Sequence, residues 1–381
     1  MGRSGSISLL LSLGDGKSSS CARFQKVSRL TDVAFAQLPA DDTNAERGEV
    51  NDGIHSFDWS SIPRPDPIPR TLCEWASRIL STSDPLEKVA YTQYAGQAFR
   101  QGECRVIARG RWNHDLQWTT PPKEQPPIRP PRPESVRCVK PGAEGKRGKA
   151  GTERSRIALL HALANIEQWA IDLAWDIIAR APRLSALAAR TETNPCPQST
   201  LPVQFYTDFV KIAIDEAKHF TLLQKRLMEL GSYFGELPVH HGLWDSAMET
   251  SENLFARLSI IHLVHEARGL DVNPVTIRKF QAAGDQASVA ALNVIHLDEI
   301  THVSAGHRWL TYLCANHPTP LNPIDVFRDE VRKNFVGRLK GPFNESDRMQ
   351  AGLSKAWYDG LSGEKASRHA QGVHREEVPG G

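Results

Sequence analysis

Asp215-Glu216-Ala217-Lys218-His219 recurs 83 residues later as Asp298-Glu299-Ile300-Thr301-His302. A Glu and a His three residues apart share one face of an α-helix. Each pair also falls inside an apolar stripe of helical period: Phe209, Ile212, Ala213, Glu216, His219, Phe220, Leu223 in the first copy, and Leu292, Ile295, Glu299, His302, Val303, Leu310 in the second. A carboxylate on a buried face needs compensation. Two identical Glu-x-x-His pairs on two buried faces point to one shared metal site.

Two further apolar stripes carry a single acid each. Glu167 interrupts Leu160, Leu163, Ala164, Ala170, Ile171, Ala174, and Glu266 interrupts Phe255, Ser259, His262, Leu263, Leu270. In chain order the donors are Glu167, then Glu216 with His219, then Glu266, then Glu299 with His302. That is the ligand pattern of carboxylate-bridged dimetal bundles. Four buried carboxylates would be intolerable alone, because each buried ion costs several kcal/mol. Two divalent cations balance four negative charges, and neutral imidazoles complete the set. Bridging carboxylates with one imidazole per metal favour Fe or Mn over Ca or Mg. The expected cofactor is therefore two Fe ions, with a mixed Mn/Fe pair as the alternative. Asp215 and Asp298 lie a quarter-turn off the core, where either could accept the outer N–H of a ligand His; ordinary helix-surface acids are the competing reading. His161, His262, His265, His296 and His307 are extra, and His161 and His262 read as satisfied core histidines.

The elements that must position these residues follow from period and punctuation. Residues 1–68 show no sustained period and read as a disordered tail. Short helices are expected from Thr71 to Leu80 and from Asp84 (N-cap, Pro85 at N1) to Gln101. The Pro-rich stretch 121–133 prescribes extended chain, and Lys140–Arg156 is a basic, Gly-rich loop. Four long helices then follow. The first spans about 153–181 and stops near Pro182, and the second runs from Pro202 to Gly231. The third opens on a Ser246/Glu249 capping box and ends at Gly269, with a short connecting helix from Asn273-Pro274 to Gly284. The fourth runs from Asp285 to about Ala315. Helices at Pro323–Phe335 and Asp347–Leu361 are expected to pack outside, and a polar tail begins at Gly363. The domain reading is thus 1–68 tail, 69–152 helical and extended extension, 153–316 metal-binding bundle, 317–362 flanking helices, 363–381 tail, in an all-α fold.

With 381 residues, 40% hydrophobic and 24% charged, the chain is of ordinary soluble composition, and a net charge of +2 exerts no strong pull on nucleic acid or an acidic membrane. The six cysteines have no CxxC spacing, which excludes a disulfide framework or zinc knuckle and suits a reducing, cytoplasmic setting. The apolar run Ile7–Leu13 is far short of the ~20 residues of a membrane span. Lys146, Arg147 and Lys149 leave RNA contact open, but no aromatic residues interleave with them to make a stacking platform.

Several segments resemble a known family: Ala158-Leu159-Leu160-His161-Ala162 leading to Ile166-Glu167, the two Asp-Glu-x-x-His runs, His265-Glu266-Ala267-Arg268-Gly269-Leu270-Asp271, and Pro342-Phe343-Asn344. They resemble the ferritin-like superfamily, and within it the branch called the domain of unknown function 455 family, over about Leu72 to Leu361. The resemblance implies a ferritin-like four-helix bundle and a di-iron centre. It implies no reaction. A distant relative in the superfamily is a tRNA-modifying di-iron hydroxylase. The leading expectation is an O₂-activating di-iron oxidoreductase taking a small-molecule substrate and an external electron donor, working as a monomer or dimer. The alternatives are an iron-handling ferroxidase, a tRNA-hydroxylase-like enzyme, and a metal-stiffened binding module without turnover.

Overall fold

The computed structural model describes residues 58–104, 107, 111–112, 118–120, 126–188 and 201–364. The chain is all-α there, apart from two short antiparallel ribbons. Of the expected tails at 1–68 and 363–381, residues 1–57 and 365–381 lie outside the described residues, as do 189–200, whereas Gly363 and Glu364 belong to a paired strand. Ahead of the first helix, Tyr94 donates to the Ile62 carbonyl at 2.7 Å and meets Trp59 edge-on, so 58–62 packs on the fold although the sequence assigns it to the tail.

Helices α1 (Leu72–Leu80) and α2 (Pro85–Arg100) start where their caps dictate. Thr71 and Glu74 form a reciprocal capping box, and Asp84 accepts from Leu86 and Glu87. A ribbon of β1 (Arg111–Trp112) and β2 (Trp118–Thr120) follows. Then come α3 (Glu153–Ala188), α4 (Val203–Glu229) and a short α5 (Gly242–Met248). The next helical path is α6 (Leu254–Ser259), a π-helical turn over Ile260–His265, and α7 (Glu266–Ala282). The fourth long helix is α8 (Gln286–Ala315), capped by Asp285. After it come α9 (Pro323–Asn334), β3 (Val336–Arg338), α10 (Glu345–Gln350), α11 (Lys355–Tyr358) and β4 (Ser362–Glu364), which pairs with β3.

The bundle closes as a ring. α3 packs on α4, α4 on α8, α8 on α6 and α7, and α6 on α3. α1 covers α3 and α2 covers α4, so α3 is buried on most of its surface, Trp169 and Trp175 included. That second burial needs polar satisfaction. Asp172, on the outer face of α3, accepts a hydrogen bond from Lys88 at 2.5 Å and is ion-paired with Arg132 at 2.8 Å, while the Arg132 guanidinium stacks 3.6 Å over Trp169.

Two prolines sit inside helices where the sequence suggests a stop (Pro182) and a new start (Asn273-Pro274). Pro182 lies inside α3 and Pro274 inside α7, so α3 runs on to Ala188 and one helix passes through both Gly269 and Asn273-Pro274. A helical proline deprives the carbonyl four residues earlier of its partner. Here both carbonyls find another donor: Cys73 Sγ lies 3.6 Å from the Ile178 oxygen, and Asn344 Nδ2 lies 3.2 Å from the Leu270 oxygen. Residues 105 and 74 positions away from those carbonyls therefore repair what the local sequence breaks. The Ser246/Glu249 start is also corrected. Ser246 sits within α5 and bonds to His265 at 2.9 Å, and the helix opens at Leu254 behind Asn253, which accepts from Ala256. The expected last helix is split into α10 and α11 by Gly352 at φ +95°.

Candidate metal centre

All six ligand candidates converge at mid-bundle. One ligand atom from each of Glu167, Glu216, His219 and Glu299 lies within 4.8 Å of the others, and the same holds for Glu216, Glu266, Glu299 and His302. Both groups share Glu216 and Glu299. Glu167 and His219 complete one group, and Glu266 and His302 complete the other. Helical spacing puts each Glu and His on one turn; the ring of α3, α4, α8 and the continuous α6–π-turn–α7 path brings the four turns together.

The imidazoles are aimed by partners on the opposite helix. His219 Nε2 lies 3.1 Å from Asp298, and His302 Nε2 lies 3.5 Å from Asp215. Each Asp thus serves the His of the other copy, not its own. With Nε2–H given to the Asp, Nδ1 keeps its lone pair toward the centre. Glu216 sits between them, one oxygen 3.2 Å from His219 Nδ1 and the other 3.0 Å from His302 Nδ1. Sequence reading missed Lys218. Its Nζ joins the two Asp carboxylates, 3.0 Å from Asp215 and 2.7 Å from Asp298. The signal was present as a lysine three residues after Asp215; Thr301 holds the matching place in the second copy, so Lys218 breaks the pseudo-two-fold symmetry.

Whether the donors fit metal ions is tested by what the protein leaves unpaired. Glu216 Oε1, Glu299 Oε2 and His302 Nδ1 are buried and make no hydrogen bond. The 3.0 Å approach of His302 Nδ1 to Glu216 Oε1 has no hydrogen-bond alignment, so it relieves neither atom. Three orphaned donor atoms of ligand type, all facing one point, cost a folded protein several kcal/mol unless cations complete them. The fit is good.

The metal-free centre holds protons instead. Burial disfavours charge on His219, but hydrogen bonds to Asp298, Glu167 and Glu216 outweigh it and hold the imidazole well above its ordinary range. His302 follows suit: its burial is outweighed by the Glu216 charge, the bond to Asp215 and the nearby Glu299 carboxylate. Burial raises Glu167 and Glu266 far above the usual carboxylate range, and neighbouring Glu216 and Glu299 add to it. Glu216 goes the other way; burial would raise it, yet the two imidazoles pull it below the usual range. Loading metal must displace these protons, so affinity rises with pH.

The extra histidines are not part of this cluster. His161 Nε2 accepts from the Gly235 and Leu237 amides, and His296 bonds to Asp347. His262 is buried edge-on to Phe209 with Nε2 unpaired, so it is not the satisfied core histidine expected, and burial pushes its pKa down to about 3. No helix among the described residues is long and apolar enough to cross a membrane.

The family model described as Protein of unknown function (DUF455) matches residues 81–359, a span that contains every residue of the centre. An uncharacterised protein of Haemophilus influenzae is 33% identical over 223 residues, covering 58% of this chain and 73% of that relative. No solved structure matches the chain. Match length and identity agree, and the chain belongs to the DUF455 family.

Proposed function

We propose that this protein is a di-iron oxidoreductase of ferritin-like type, activating O₂ to oxidise a small-molecule substrate with electrons from an external donor. The observation that carries this is the overlap of two four-ligand groups in Glu216 and Glu299. Glu167, His219, Glu266 and His302 would be the terminal ligands. Bound there, two iron ions (or a Mn/Fe pair) would supply redox chemistry with O₂ that no side chain can supply.

The chain's own part is positioning and exclusion of water. Asp298 and Asp215 fix the imidazole tautomers, and Lys218 holds the two acids together across the α4–α8 seam. Five of the six ligands are buried, whereas Glu266 is only partly so. The centre is therefore nearest to solvent on the α7 side, where a substrate would approach. Anaerobic iron loading followed by O₂ exposure tests the proposal. The wild type is expected to consume O₂ and Glu216→Ala to lose that activity. A variant that loses only thermal stability, from a wild type that never consumes O₂, would mark a metal-stiffened scaffold instead.

A further inference from the structure

We propose that the cavity on the outer side of α7 binds a small organic anion: a carboxylate or phosphate carried on an apolar body. The cavity, of about 310 Å³, lies between α7, the β3 segment and the chain around Phe343. That volume sits at the small-ligand end of ordinary binding pockets. The site does not depend on the metal reading. Arg268 is two residues past Glu266, roughly 200° around the helix, so the cavity faces away from the dimetal cluster.

Its chemistry is two-sided. Phe335, Leu339 and Phe343 give apolar wall, while Arg268, Arg338 and Lys340 stand at the mouth. No carboxylate whose side chain is described forms an ion pair with any of these three cations. The acid that does line the cavity is already neutralised: Asp271 receives Arg348 at 2.9 and 2.7 Å and the Asn344 amide at 2.9 Å. His265 is already engaged, bonding to Ser246 at 2.9 Å. The Arg268 guanidinium is held in place, donating to the Lys340 carbonyl at 2.9 Å. Three like charges converging over an apolar wall repel one another unless an anion sits among them. The concavity favours a small molecule over a flat acidic protein surface. Two runs singled out in the sequence, His265 to Asp271 and Pro342-Phe343-Asn344, meet to build this pocket.

Calorimetric titration of the full chain at low salt tests this, with 1-naphthyl phosphate, 1-naphthoate, neutral 1-naphthol, inorganic phosphate and poly-glutamate as probes. One saturable site is expected for a naphthyl anion; naphthol and inorganic phosphate should be weaker, each lacking half of the recognition. Preference between naphthyl phosphate and naphthoate tells a phosphate ligand from a carboxylate. Arg338→Ala and Arg268→Ala should each weaken binding about tenfold or more, since a charge-assisted hydrogen bond is worth that much. Both side chains are exposed, and unchanged melting would show the variants folded. The proposal is overturned if naphthol binds as tightly as the anions, if neither anion saturates, if both folded variants bind like wild type, or if poly-glutamate outcompetes the naphthyl anions.

Discussion

Replacing Asp298 by Asn removes one charge and almost no volume, and its effect on the metal centre is calculable. Asp298 is 6% exposed, and its Oδ2 takes both His219 Nε2 at 3.1 Å and Lys218 Nζ at 2.7 Å. The carboxylate fixes the His219 tautomer and raises the basicity of the nitrogen that faces the centre. An Asn can still accept one of the two bonds but cannot hold the imidazole electrostatically. Loss of such a partner costs about 10–100-fold in metal affinity, or roughly 1.4–2.7 kcal/mol. The matching change, Asp215→Asn, should cost less, because the Asp215–His302 contact is 3.5 Å, at the edge of a hydrogen bond. Anaerobic Fe(II) or Co(II) titration followed by calorimetry separates the two. Asp298→Asn should weaken one binding step and leave the other nearly intact, with Asp215→Asn milder. An equal or larger loss from Asp215→Asn, or no loss from either, would refute the crossed Asp–His geometry.

Three other outcomes follow from features outside the centre. Burial, partly opposed by Glu236, pushes His161 from its ordinary 6.5 down to about 4, because its Nε2 must stay unprotonated to accept two amides. The folded state then binds fewer protons than the unfolded one between pH 6.5 and 4, so stability falls as pH falls through that window, by up to about 1.4 kcal/mol per unit. Urea unfolding should show a shallower acid loss in His161→Gln; parallel curves would contradict it. Asn344→Ala removes the donor to the Leu270 carbonyl and to the Asp347 carboxylate as well as the cap on the Asp347 amide, and should cost about 1–3 kcal/mol. A urea midpoint unchanged in Asn344→Ala would show that the proline-orphaned carbonyl needs no partner. An added Cβ at Gly306 would run into the His262 carbonyl, so Gly306→Ala should destabilise by about 1–3 kcal/mol despite its better helix propensity. A raised melting temperature in that variant would contradict the close α8–π-turn approach.

The buried acid and imidazole cluster was legible because buried charge at helical spacing is conspicuous: Glu167, Glu216, His219, Glu266, Glu299 and His302 each interrupt an apolar stripe. The helix starts at Thr71, Asp84 and Asp285 were legible from capping chemistry, which is local. What was not legible depended on distant partners. Pro182 read as a stop, and Asn273-Pro274 as the start of a separate helix, because the donors that rescue the freed carbonyls, Cys73 and Asn344, lie far away in sequence. Ser246 looked like a cap because its bond to His265 exists only in the folded bundle. The roles of Asp215 and Asp298 were visible as proximity to a ligand His, but which His each serves is a property of the α4–α8 seam. Lys218 escaped notice because an exposed-looking lysine on a helix gives no sign that two acids from two helices will meet on it.

The most direct test is the metal content of the purified chain after anaerobic iron reconstitution, measured with Glu216→Ala alongside. Two overlapping ligand groups sharing Glu216 and Glu299 predict two ions per chain in the wild type, and a marked loss in the variant, where both groups lose a member. A wild-type content below one ion per chain, or an undiminished content in Glu216→Ala, would contradict a carboxylate-bridged dimetal centre.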